Sequence, residues 1–351
     1  MHILCITPMY PEAKNPAFGI FIHNLNQQLS KQSHTIEVLH RPDGDRGIFS
    51  YLHLLFTALR YALQKSKPDI IHGHYLGPAA FIACLLGILK RCPVVLTAHG
   101  SDIEAAKHRL IRIAWRLLFF FSAGIHFVSK PLMLRAQKLI GPIAKSTLAW
   151  PLGIDTAVFQ PHPLKKITSS PLQLLCVGRL SKEKGWDDTI AAIARLRDSG
   201  HDVVLTACAD GDRRWFHQLL NKYNVASLVT LTGFQPPTAL AKIYALAHLL
   251  LVPSWREGFG LVGLEAMAVG TPIITTGVGG MGEYIRDSFN ALVIPVHNPV
   301  ALADAVLQLA NDQKLYSQLY KGGLQTAGQY SVAHSAEKIT KFFQQIINSI
   351  A

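Results

Sequence analysis

The sequence predicts an α/β protein built from two doubly wound, parallel-sheet domains. Three observations point there. Short apolar runs alternate with longer stretches of helical period along all 351 residues. The runs are apolar almost throughout, as strands are when helices cover both faces of a parallel sheet. The rhythm breaks once, at residues 160–171, where Pro, Ser and Lys accumulate as in a linker.

The elements follow in order. The first half carries strand-like runs at 3–7, 35–40, 69–72, 94–98 and 124–129, and a helical stretch at 22–31. Its longest apolar stretch, 79–89, is stopped by Lys90 and Arg91. That is well short of the ~20 residues of a membrane span and reads as a buried helix. The second half carries runs at 172–178, 203–207, 229–232, 249–253, 272–276 and 291–294, with helical stretches at 189–198 and 300–311. The expected division is a first domain over 1–160, a second over 171–330, and a helix over 331–351 packing back toward the first. Ligands of open α/β sheets bind in the loops after the strands. The chemistry is therefore expected where two such loop sets face a cleft.

Composition narrows the classes. Hydrophobic residues make up 49% and charged residues 16%, which suits a globular chain and not a disordered one. The mean hydropathy of +0.23 implies large cores or apolar surface that meets a membrane or a partner. No signal-peptide pattern opens the sequence. Five irregularly spaced cysteines, with no CxxC pair, argue against a disulfide framework and suggest a cytoplasmic protein. Residues 1–160 hold 17 Lys and Arg against 8 Asp and Glu, while the remainder holds 17 against 14. The basic half suits an anionic membrane surface or an acidic substrate, or is solubility charge. No zinc-finger, RNP-like or basic-heptad pattern supports a nucleic-acid partner.

Two constellations in the second half carry chemistry. The run at 172–177 leads into Gly178-Arg179-Leu-Ser-Lys-Glu-Lys184-Gly185. Two cations at a strand's carboxyl end can neutralise a diphosphate, bound or leaving; the plain alternative is an ordinary basic turn. The run at 249–253 leads into Glu257-Gly258-Phe259-Gly260-Leu261, with Glu265 eight residues after Glu257. Glycines at a helix entry let backbone N–H groups approach an anion. A loop carboxylate can accept hydrogen bonds from sugar hydroxyls and a helix carboxylate from ribose hydroxyls. The plain alternatives are a loop acid and a solvated helix acid, although the Ala-Met-Ala-Val that follows Glu265 is poor company for a lone charge.

The first half is less specific. Gly19 ends a Pro-rich loop before a helix and could bring an N–H to a phosphate or simply start the helix. His99 heads His-Gly-Ser-Asp102 after the run at 94–98 and should lie on the ligand side. Asp102 reads as the N-cap of the next helix. His72 and His74 are two apart, so one of them is expected to face the core. No third ligand suggests a metal for them. Arg109, Arg112 and Arg116 share a helical face beside Trp115 and Phe119–Phe121. That is either a basic helix on an anionic bilayer or a core helix with a wet edge.

These motifs taken together resemble one family. Glu-Gly-Phe-Gly at 257–260, Glu-Ala-Met-Ala-x-Gly-Thr-Pro at 265–272, Gly-Arg-Leu-x-x-x-Lys-Gly at 178–185, Gly279-Gly280 with Glu283, and the histidine motifs at 68–74 and 99–102 are similar to those of GT-B retaining glycosyltransferases of family 4, the group 1 glycosyl transferases. The resemblance implies two Rossmann-like domains, an N-terminal acceptor side and a C-terminal donor side. It implies a nucleotide-diphosphate sugar as donor and a saccharide or lipid-linked acceptor, with no cofactor and no metal. Arg179 and Lys184 would hold the diphosphate and Glu257 the sugar hydroxyls. Glu265 would hold the ribose, Phe259, Gly260 and Leu261 would act through their backbone, and Gly19 would touch a phosphate. His99 would sit near the transferred sugar. The chain departs from many relatives at Leu152-Gly153 and at Ala209-Asp-Gly-Asp212, near the hinge and the base pocket. Bacterial cell-surface polysaccharide or lipopolysaccharide synthesis, with the enzyme cytoplasmic or peripheral on the inner membrane face, follows by family association. The alternatives are a sugar-nucleotide epimerase or hydrolase of this fold, or a non-catalytic sugar-nucleotide-binding subunit. A dinucleotide-dependent oxidoreductase lacks its GxGxxG after the first strand.

Overall fold

The computed structural model describes residues 1–350 except 13–17, 43–46, 144, 166, 168 and 169. Parts of the Pro-rich loop before Gly19 and of the 160–171 linker therefore lie outside the described residues. The chain divides into two compact units: Met1–Gly153 with Val332–Ala351, and Ile154–Ser331.

The first unit runs β1 (His2–Thr7), α1 (Ile20–Lys31), β2 (Thr35–His40), α2 (Ile48–Ala62), β3 (Ile70–His74), α3 (Pro78–Lys90) and β4 (Val94–Ala98). It continues with α4 (Ser101–Ala105), α5 (Arg109–Phe121), β5 (Gly124–Phe127), α6 (Lys130–Ile140) and β6 (Ser146–Ala149). The strands form one parallel sheet in the order β2-β1-β3-β4-β5-β6. Ile3, Leu4, Cys5 and Ile6 are wholly buried, as a central strand requires. The order reverses direction between β1 and β3, so the loops after these strands open at the switch point. Right-handed crossovers put α2, α3, α5 and α6 on one face and α1 on the other. Consecutive members of the first set pack side by side.

The second unit runs β7 (Leu172–Val177), α7 (Trp186–Asp198), β8 (Val203–Cys208), α8 (Arg213–Lys222), β9 (Val229–Leu231), α9 (Pro237–Leu246) and β10 (Leu249–Val252). Then come α10 (Leu261–Val269), β11 (Ile273–Thr275), β12 (Leu292–Val293), α11 (Pro299–Asn311) and α12 (Gln313–Ala327). Its parallel sheet is ordered β12-β11-β10-β7-β8-β9, and its switch point lies between β7 and β10. One core, from Trp186 and Phe216 to Tyr316 and Leu319, fills the space between sheet and helices.

The last helix, α13 (Val332–Ile350), belongs to the first unit and packs on α1 and β6. Phe342, Phe343 and Ile346 are its buried stripe, and Thr340 bonds Gln32 and His34. Every expected strand run forms a strand. β6 was not anticipated, because Ser-Thr-Leu-Ala at an exposed sheet edge has no apolar signature. The boundary differs from the linker at 160–171. Residues from Ile154 onward are tied to the second unit by His162 N–H donating to Val269 O (2.9 Å), Tyr320 OH to His162 O (2.7 Å) and Lys165 Nζ to Ala247 O (2.5 Å). α3 also departs from the buried helix expected: Ala79, Ala83 and Leu86 are buried, but Phe81, Leu85, Ile88 and Leu89 are exposed.

Candidate functional site

In the second unit the loops after β7 and β10 meet at the switch point. After Val177 the chain turns through Gly178 and a short 3-10 turn, Lys182–Lys184, to Gly185 at φ +73. A Cβ on Gly185 would lie 2.0 Å from Pro253 O. Glycine is therefore what lets this loop reach the β10 loop. There Lys184 Nζ donates to Glu257 Oε1 at 2.7 Å. Ser254 Oγ donates to the same oxygen at 2.9 Å. The Glu257 side chain is only 5% exposed, against 30% for Lys184. A charge so desolvated needs such partners.

The backbone of Glu257 is held as tightly. Gly279 adopts φ +62, and a Cβ there would lie 2.1 Å from Glu257 O. The Gly279–Glu283 turn is thus stacked directly on the acidic loop. Gly260 caps α10 in the left-handed region (φ +81) and, being glycine, puts no side chain of its own over the helix N-terminus at Leu261. Such an end attracts anions. Tyr284 OH donates to Gly260 O at 2.6 Å. Phe259 is buried against Tyr284 and Tyr330, with ring centroids 5.3 and 5.7 Å away.

Glu265 lies one side-chain layer away on α10. Burial in apolar surroundings pushes its carboxyl up to about 7, while the Tyr244 hydroxyl, donating at 3.0 Å, pulls the other way. Burial holds the Tyr284 hydroxyl well above its ordinary value, and both Glu257 and Glu265 add to the shift. Arg179 is exposed, with no ion pair among the described residues, and its carbonyl accepts from Trp186 Nε1 at 2.9 Å. Arg179, Lys184, Glu257, Phe259, Gly260, Leu261 and Glu265 are thus gathered by two adjacent loops and the helix after the second.

Sequence reasoning missed Ser254, Tyr244 and Tyr284, which hold this arrangement. Gly279 was noticed only as part of a motif. At the departure at 209–212, Leu180 N–H donates to Asp210 O at 2.8 Å, and Asp212 caps α8 by accepting from Trp215 N–H at 3.0 Å. Leu152 is buried at the end of the first unit.

In the first unit, Gly19 caps α1 at φ +78, and a Cβ there would lie 2.5 Å from Met9 O. His99 ends β4. Its ring stacks on Tyr75 at 4.1 Å and its Nε2 lies 3.2 Å from His74 Nδ1. Burial lowers the pKa of His99, His74 and His72 well below the ordinary value and that of His126 to about 4. All four are neutral at pH 7. His126 Nε2–H donates to Trp150 O at 2.6 Å, so its Nδ1 accepts from Thr97 OH at 3.1 Å. Thr97 Oγ1 must then accept from His72 Nε2–H at 2.7 Å.

Two expectations are corrected here. His72 and His74 are both fully buried, because strand period 2 places i and i+2 on one face. Asp102 is not an N-cap, since Gly100 precedes α4. Its carboxylate instead accepts N–H bonds from Leu76, His99, Gly100 and Ile103 and ties the ends of β3 and β4 together. Trp115, expected beside the basic stripe, is buried and donates to Asp102 O at 2.8 Å.

Comparison with known proteins agrees with these motifs. "Glycosyl transferases group 1" matches residues 162–326 and "Glycosyltransferase Family 4" matches residues 18–158. A Mycobacterium tuberculosis glycogen synthase is 27% identical, over 89% of this chain and 86% of the relative. A D-inositol 3-phosphate glycosyltransferase of Corynebacterium aurimucosum is 33% identical, over 78% of this chain and 71% of the relative. The structure of Anabaena HepE in complex with UDP and glucose superposes with a TM-score of 0.77 at 18% identity, covering 98% of this chain and 100% of that one.

Proposed function

The chain belongs to the family 4, group 1 glycosyltransferases, and we propose that it is a retaining enzyme that moves a sugar from a nucleotide-diphosphate donor to a saccharide or lipid-linked acceptor. The observation that carries the donor reading is the Lys184–Glu257 pair at the β7/β10 switch point, beside the glycine-capped start of α10. A diphosphate seated there would draw on Arg179, Lys184 and the N–H groups at Leu261. Glu257, released in part from Lys184, would accept from the sugar hydroxyls, and Glu265 from the ribose. HepE, which holds UDP and glucose, shares the fold and supports this class of donor.

The chemistry follows from the charges. The bond from the anomeric carbon to the phosphate oxygen breaks and leaves an oxocarbenium-like sugar. The acceptor oxygen bonds to the same face, and its proton passes to the departing phosphate oxygen. Arg179 and Lys184 stabilise the negative charge that grows on that leaving group, the task a metal would otherwise perform. His99 is assigned to the growing positive charge. Its neutral imidazole and its carbonyl offer electron density and no competing cation. The M. tuberculosis relative is a glycogen synthase, in keeping with polysaccharide synthesis, and the role assigned to this chain is bacterial cell-surface glycan assembly on the cytoplasmic side.

Turnover of Arg179→Ala with the enzyme's donor and acceptor tests the reading. A fall of about 10²–10³ is expected on removing one such cation. Unchanged turnover would overturn the assignment of Arg179 and Lys184.

A further inference from the structure

We infer that the α2–α3–α5 face of the first unit is a docking surface for an anionic lipid bilayer. The first observation is the distribution of exposed apolar side chains. Of the 23 large hydrophobic residues exposed among the described residues, 15 lie on α2 with its cap Leu63, on α3 and on α5. Leu63 is 88% exposed, Leu110 80%, Phe49 74% and Phe120 70%. These helices pack side by side on one face of the sheet, so their outward stripes form one surface. Scattered exposed leucines need no explanation, but a patch across three helices does.

The second observation is charge. Residues 47–154 hold 13 Lys and Arg against three acidic residues. None of the three acids is on α2, α3 or α5. Asp102 is buried, Asp69 accepts from His2 N–H at 2.7 Å, and Glu104 is paired with Lys107 and Arg135. The cations are interleaved with the aromatics: Arg60 lies 5.9 Å from the Phe56 ring and Lys145 5.9 Å from the Phe120 ring. Apolar side chains rimmed by cations match the boundary between acyl chains and anionic headgroups. A second copy of the chain fits poorly, because a two-fold contact would set this basic face against itself. No described helix is long and apolar enough to cross a membrane, so the match is to surface adsorption.

The surface belongs to the first unit alone, so its test and that of the donor site fail independently. The full chain is sedimented with vesicles of phosphatidylcholine, with or without phosphatidylglycerol. We expect binding to anionic vesicles at low salt at least tenfold tighter than to phosphatidylcholine alone, weakening as salt shortens the screening length. The double variant Phe49→Asp/Phe120→Asp should lose at least tenfold in that binding with its melting temperature unchanged. Arg60→Glu/Arg109→Glu should lose the preference for phosphatidylglycerol. Three results would overturn the proposal: no binding to anionic vesicles, equal binding by the Phe49/Phe120 variant, or a solution dimer that this variant dissociates.

Discussion

Lys184 Nζ sits 2.7 Å from Glu257 Oε1, and this contact joins the loops after β7 and β10 where the sheet changes winding direction. Glu257 is the more buried partner, so the lysine satisfies a charge that could not otherwise remain there. The proposed donor site assigns the same lysine to the diphosphate.

Removing it should therefore cost both stability and rate. Lys184→Ala should destabilise the fold by about 1–3 kcal/mol through the unpaired Glu257. It should also lower turnover by about 10²–10³. Thermal melts and steady-state rates check this, and a variant that loses stability but keeps its rate would reduce Lys184 to a structural role.

Glu265 predicts two opposite pH effects. Its folded pKa is about 7, above the unfolded value, so the folded state holds the extra proton. That stability is full below the unfolded pKa of ~4.3 and is lost as pH rises through about 7. Glu265→Gln should accordingly melt higher than the parent at pH 8 and nearly level with it at pH 4.5. Nucleotide binding goes the other way. Ribose hydroxyls donate to the carboxylate, so affinity should fall by up to about tenfold per pH unit below 7. Titration of UDP from pH 8 to 6 checks this, with Glu265→Gln isolating the diphosphate's own titration. Superimposable profiles would remove Glu265 from the site.

Gly279→Ala tests the stacking of the two loops. At φ +62, with Glu257 O 2.1 Å from the new Cβ, the loop must move. A loss of about 1–3 kcal/mol is expected, together with weaker donor binding. An unaltered donor affinity would show that Glu257 does not depend on this backbone.

The four buried histidines predict acid sensitivity in the first unit. Their folded pKa values lie below the unfolded ~6.5, so their stability is present above that pH and lost as it falls toward about 4, the value for His126. Amide exchange in β3, β4 and β5, corrected for intrinsic rate, should accelerate over that window. Constant protection would contradict the neutral-histidine network.

Much of this was legible because local chemistry and global fold agree. Ile3–Ile6 and Leu249–Val252 read as covered strands and are. Glu265 stood out because acids rarely sit in apolar runs, and Glu257 because it opens a Gly-rich turn eight residues earlier. What stayed hidden depends on contacts distant in sequence. Tyr244 meets Glu265 only after α9 packs on α10. Asp102 is a plausible cap by position, but it bonds Leu76, a residue on the neighbouring strand's loop. The outward faces of α2 and α3 were illegible because apolar periodicity alone does not say which side meets the sheet. Their exposed residues look like core until the sheet is in place.

The central claim is that the two switch-point loops of the second unit hold the diphosphate of a sugar nucleotide. Thermal shift of the parent and Arg179→Ala against a panel of nucleotide sugars tests it most directly. The account predicts a rise for at least one donor, about 2.7 kcal/mol of added stability at a hundred times Kd, that Arg179→Ala largely loses. No shift with any donor, or an equal shift in Arg179→Ala, would contradict it.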